Sequence, residues 1–129
     1  MRKIILSLLV STVCFSQSKN SEAFNSFFFQ FKKSKSFQLE RTLFPIKVIH
    51  EASISESGNL ETLLITKKNW EFSDFSASKN RNLKISQVRN SSNNYTVIFQ
   101  IEDTGFYLRY FFKKLNGKWF LYKIRDEST

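Results

Sequence analysis

Apolar and polar residues alternate along this chain with two different periods. Phe24, Phe27, Phe28 and Phe31 fall at i, i+3, i+4 and i+7, which puts them on one face of an α-helix. Ser21 stands where an N-cap is expected, with the acid Glu22 beside it. Lys32 and Lys33 follow at the end where the helix dipole favours positive charge. Burying one Phe side chain is worth about 1.5–3 kcal/mol, so four offer about 6–12 kcal/mol if another layer covers them. So short a helix does not hold by itself in water. The rest of the chain must therefore supply the cover.

After the polar break Ser34-Lys35-Ser36, Phe37 to Arg41 reads as a second short helix. Pro45 is expected to end it, because proline disfavours helix at the preceding residue. From Ile46 to Glu51 the period becomes two, and Glu61 to Thr66 reads as the partner strand across a polar loop at Ser53–Asn59. Lys67 to Ser78 has two readings. Thr66 caps a turn of helix anchored by Trp70, or Phe72 and Phe75 lie in an irregular segment packed on the core. Ala77 to Asn82 reads as exposed loop. Leu83–Arg89, Tyr95–Glu102, Phe106–Lys114 and Lys118–Arg125 then read as strands. They are separated by turns at Asn90–Asn94, at Asp103-Thr104-Gly105 and at Asn116-Gly117, the last a strong hairpin signal. Helices followed by an antiparallel meander predict an α+β domain: N-terminal helices packed on a curved antiparallel sheet.

The amino terminus changes where such a domain would work. Arg2 and Lys3 precede an apolar run, Ile4–Val13, too short to span a bilayer but suited to the apolar region of a signal peptide. Residues 1–16 therefore read as a signal peptide, with cleavage expected before Gln17 and one domain from 17 to 129. Cys14, the single cysteine, gives two alternatives: lipidation at that residue, or retention of the segment as an anchor. The residues before it do not match a lipoprotein signal well. Cleavage would leave a cysteine-free chain with no disulfide, no thiolate nucleophile and no cysteine-based metal site. The expected location is the periplasm or beyond the cell.

Phe27-Phe28-x-x-Phe31, Phe37-Gln38-x-x-Arg41-x-x-Phe44-Pro45, Trp70 and Asn116-Gly117-Lys118-Trp119-Phe120-Leu121 together resemble a family of small secreted bacterial proteins described as a domain of unknown function. The Phe-Gln-x-x-Arg-x-x-Phe-Pro block is the most specific part. The resemblance covers nearly all of the chain after the signal peptide. It implies the cystatin-like, nuclear-transport-factor-like cone, in which a curved sheet cradles helices. It implies no catalytic residue.

Candidate chemistry is sparse. His50, the only histidine, is a candidate base or ligand, but zinc would need partners that are missing, so neither metal nor cofactor is expected. Arg41 is placed to hold a carboxylate or phosphate, or else to pair with Glu40 or Glu51. Glu102, Tyr107 and Arg109 lie on or near adjacent strands and are candidates for the cone's mouth. With no phosphate loop, nucleophile elbow or calcium loop, the expectation is binding of a small ligand or an envelope partner through the concave face. The alternatives are a small isomerase- or hydrolase-like enzyme with an acid, His50 and a tyrosine in one cavity, or an assembly module. The formal charge of +9 does not suggest nucleic acid, because the basic residues are spread along the chain. Peripheral contact with an anionic membrane surface is the more natural expectation. Monomer and homodimer both remain open.

Overall fold

The structure, a computed structural model, describes residues 21–50, 60–75 and 82–129. The signal peptide, Cys14, Glu51, the loop at 53–59 and most of the loop at 77–82 lie outside the described residues. Two helices, α1 (Phe24–Phe31) and α2 (Lys35–Glu40), lead into six strands. These are β1 (Thr42–His50), β2 (Glu61–Ile65), β3 (Leu83–Ser91), β4 (Asn94–Ile101), β5 (Tyr107–Leu115) and β6 (Lys118–Asp126). They form one sheet in the order β2-β1-β6-β5-β4-β3. The α+β architecture, with helices on one face of a curved sheet, is as expected. Four strands form the antiparallel meander that the turns announce. One pairing differs: β1 runs parallel to β6, so two antiparallel units join through a parallel seam.

Four of the five phenylalanines of α1, Phe24, Phe27, Phe28 and Phe31, are buried against Phe99, Phe112, Trp119 and Tyr95, while Phe29 faces solvent. Phe112 takes edge-on contacts from Phe24, Phe27, Phe28 and Phe31, the geometry that ring quadrupoles favour. Ser21 is not the cap. The helix begins after Ala23 without a side-chain cap, while the Ser21 hydroxyl accepts from Lys114 Nζ at 2.6 Å. Helix α2 starts two residues earlier than expected, because the Ser34 hydroxyl accepts from the Phe37 N–H.

Pro45 does not end α2. The helix stops at Glu40 and the strand begins at Thr42, so Pro45, with a cis bond to Phe44, sits inside β1. The β1–β6 register shifts between Thr42 and Lys47. A residue with no N–H to donate is tolerated at such an interruption. At the β5–β6 hairpin, Asn116 and Gly117 both have positive φ, as a two-residue primed turn requires. Between β2 and β3, a single 3-10 turn (Lys67–Asn69) precedes irregular chain whose Trp70 and Phe75 are both core residues.

Cross-strand register sorts the sheet into rows. On the inner face Leu63, Val48, Ile124, Tyr110, Val97 and Gln87 form one row, and Glu61, His50, Asp126, Leu108, Phe99 and Ile85 the next. On the outer face the corresponding rows are Leu64, Lys47, Lys123, Phe111, Thr96, Val88 and Thr62, Ile49, Arg125, Arg109, Ile98, Ser86.

Candidate functional site

The sequence candidates separate into three places. Arg41 is in the core. Its guanidinium grips Glu22 with two bonds, Nη1 to Oε1 at 2.7 Å and Nη2 to Oε2 at 3.1 Å. It also lies over the Phe37 ring at 4.9 Å. Glu40, 4.0 Å away, is not its main partner. Glu22 Oε1 accepts the Trp119 N–H as well, and the Trp119 indole N–H donates to the Glu22 carbonyl at 2.9 Å. Every strong acceptor of Glu22 is thus used within the fold, and Arg41 is a structural clamp.

Gln38 of the same motif is fully buried and satisfied. Its amide donates to the carbonyls of Phe31 and Ser73 at 2.7 and 2.9 Å, and its oxygen accepts from the Trp70 indole. It ties the end of α1 to the segment after β2. Phe44 meets Trp70 edge-on. The Phe-Gln-x-x-Arg-x-x-Phe-Pro block is therefore a folding block.

Glu102, Tyr107 and Arg109 lie away from the inner face. Glu102 is exposed in the β4–β5 turn. Tyr107 and Arg109 belong to the outer face, and Arg109 donates to Glu127 through Nε at 2.6 Å and through Nη2. Glu102, Tyr107 and Glu127 border an outer recess of about 450 Å³ closed by the 101–105 turn and Thr129. Gly105 lets that turn approach: a Cβ there would overlap the Thr129 carbonyl.

His50 is on the inner face, at the mouth. Its Nδ1 lies 3.4 Å from Asp126 Oδ2, its neighbour in the row, and Asp126 Oδ1 accepts the Ser128 N–H at 3.0 Å. Beside Asp126 opens a second recess of about 320 Å³, lined by Val48, Ile65, Trp70, Ser73, Tyr110 and Ile124 among others. Tyr110 forms part of its floor. Burial pushes the phenol pKa well up; the Ser73 side-chain hydrogen bond opposes this, and the Asp126 charge adds to it. The phenol is therefore neutral at physiological pH. No group of three or more His, Cys, Asp or Glu among the described residues is placed to hold a metal ion.

The inner recess is the better-built site. Much of its wall is core side chains fixed by packing, with Asn69, Glu71, Ser73 and Asp126 as its polar lining. The outer one is walled largely by a turn. Asp126, Tyr110 and Ser73 escaped the sequence reading. Asp126 ends an aromatic strand where an acid reads as surface, and Ser73 comes from irregular chain. Period-two alternation from His50 through β6 holds the signal only once the parallel seam is known.

No protein-family model and no curated protein matches the chain. Solved structures do. An NTF2-like protein from Bacteroides fragilis superposes with a TM-score of 0.63 at 19% identity, over 84% of this chain and 48% of its own. The chain thus spans about half the length of that protein. A cystatin-like protein from Bacteroides caccae gives 0.56 at 21% identity, over 81% of this chain and 76% of its own. A protein from Bacteroides uniformis gives 0.57 at 19%, over the same shares. At these identities the likeness is one of fold: the chain has the NTF2-like, cystatin-like cone that its motif block resembles.

Proposed function

We propose that the chain is an exported, non-enzymatic binding domain of the bacterial envelope that takes a small, largely apolar ligand in the inner recess. One observation carries the reading. Core side chains, Val48, Tyr110, Ile124 and Trp70, border a recess of about 320 Å³ that has the carboxylate of Asp126 and no residue of α1 or α2 in its lining. That volume is at the small end of ligand pockets, which run about 300–1,000 Å³. The apolar walls would supply affinity, and Asp126 with Ser73 would orient a hydrogen-bond donor on the ligand. Export rests on the signal-peptide pattern of residues 1–16.

Thermal-shift screening against small apolar amines, alcohols, acids, lipids and glycans tests it, because a molecule that binds only the native state raises its stability. At least one class should raise the melting temperature of the parent chain and not that of Val48→Trp, which fills the recess. No stabiliser across the screen would sink the reading.

The enzyme alternative has one specific support, the pairing of His50 with Asp126 beside the Tyr110 phenol. It requires turnover that disappears in His50→Gln while ligand-induced stabilisation remains. Binding unchanged and no turnover with any bound ligand would leave the binding reading alone.

A further inference from the structure

The basic residues that look scattered along the chain are gathered by the sheet. Strand alternation and register put Lys47, Lys84, Arg109, Lys113, Lys123 and Arg125 on the outer face, where among the described residues the carboxylates gather at one end, with Glu127 after β6 and Glu102 and Asp103 in the β4–β5 turn. Arg109 and Arg125 share the Glu127 carboxylate. The lysines at the centre have none. They lie on aromatic rings instead: Lys123 Nζ is 4.4 Å from the Phe111 ring centre, and Lys113 Nζ is 5.0 Å from that of Tyr122. A register shift opposite Phe111/Phe112 turns Tyr122 to the same side as Lys123, which brings the two rings within 6.4 Å of each other. Among the described residues no element packs over this face, because both helices lie on the other side.

We infer that the outer crown of the sheet, centred on Lys113, Lys123, Phe111 and Tyr122, is a docking surface for an anionic phospholipid bilayer. Three features choose this occupant. Charge is the first: cations near an anionic leaflet are attracted, and rings carrying a polar or cationic edge suit the headgroup depth. Shape is the second. A sheet curved around its helices presents its central strands, β6 and β5, outward, and a flat partner meets those strands before the edges. Third, the other candidates meet obstacles. A second copy bound across a two-fold axis would bring the same cations face to face. Single-stranded nucleic acid stacks its bases on open rings, whereas Phe111 already carries Lys123 and Arg109.

The test is sedimentation of the full chain with vesicles of phosphatidylglycerol and phosphatidylcholine, against vesicles of phosphatidylcholine alone. Each central lysine contributes on the order of five-fold in partition. Lys113→Gln with Lys123→Gln should therefore weaken binding to the anionic vesicles about 25-fold. Lys67→Gln with Lys68→Gln removes the same charge from the 3-10 turn, off this face, and should change it less than about two-fold. Lys113→Arg with Lys123→Arg should keep binding, which separates loss of charge from loss of fold. Salt at about 0.5 M should weaken binding of the parent chain by screening. The inference is overturned by equal binding to both vesicle types, or by equal losses in the two Gln pairs. A dimer in light scattering that the Lys113/Lys123 pair dissociates would also overturn it, because a second copy would then cover the face. So would tighter binding to single-stranded DNA than to the vesicles.

Discussion

The two ends of β6 treat charge in opposite ways. At the hairpin end, Glu22 and Arg41 lie among Trp119, Phe37 and the α1 rings, with Arg41 donating to both Glu22 oxygens and to the Trp119 carbonyl, and Glu22 also accepting the Trp119 N–H. At the mouth end, Asp126 and His50 are each about a quarter exposed, with a long contact between them and a recess alongside. A buried guanidinium held by both oxygens of a carboxylate, which also accepts a backbone N–H, is committed to the fold. A carboxylate at the edge of an apolar recess still has lone pairs to offer. The difference explains why Arg41, the most conspicuous charged residue of its motif, is a poor guide to the proposed site, and why the inconspicuous Asp126 is a better one.

Substitutions at the two ends should separate accordingly. The largest effect belongs to the apolar part of the closed end: Phe28→Ala and Trp119→Ala should each cost about 3–5 kcal/mol in denaturant unfolding. A loss below about 1 kcal/mol would remove these residues from the core. Arg41→Ala should cost about 3 kcal/mol by the same measurement, because it strands Glu22 beside Trp119. Arg41→Lys should recover little of that, since one ammonium cannot replace a two-pronged grip. If Lys serves as well as Arg, the clamp is not what stabilises this end.

At the mouth the expected effects on stability are smaller and the effects on binding larger. Asp126→Asn should shift stability by less than about 1 kcal/mol, as at other partly exposed positions. It should nonetheless abolish most of the ligand-induced rise in melting temperature. An equal loss of stability at Asp126 and Arg41 would erase the contrast between the ends. The smallest effect concerns pH. Tyr110 is held neutral in the fold above its ordinary pKa of 10.0, so only the unfolded chain ionises there as pH passes about 10. The unfolded state then binds fewer protons than the native one, and stability falls as pH rises. Below that range Tyr110 contributes no pH dependence. In Tyr110→Phe the decline above about pH 10 should be shallower; an unchanged slope would mean that the phenol is not shielded.

Local pattern carried the meander well, because each of its strands is bounded by its own turn. Asn116-Gly117 specifies a hairpin by backbone preference alone, and α1 is written in the spacing of its phenylalanines. The joins between units are another matter. Pro45 is a helix stop by local rules, and only the interrupted β1–β6 ladder makes it a strand residue. The parallel seam pairs residues more than seventy positions apart, such as Lys47 with Lys123, and no local period encodes that. The clamp partner Glu22 looked like a first-turn acid for the same reason. Among the candidates, His50 stands at the mouth and Arg41 in the core, while Glu102, Tyr107 and Arg109 belong to the other side or to a turn. Counting alternation from the parallel seam, rather than from each strand's own apolar residues, would have parted them.

The place of β6 in the chain has a consequence for how the protein is made. Residues 118–126 follow every other strand in sequence, yet they form both edges of the seam: β1 pairs with one side and β5 with the other. As the chain leaves the ribosome, β1 and β2 can form only a two-stranded ribbon, and two strands alone are marginal in water. Trp119, which completes the Arg41 clamp and covers Phe24, arrives with the same strand. The β1–β2 ribbon therefore has no further strand to pair with until the last strand emerges.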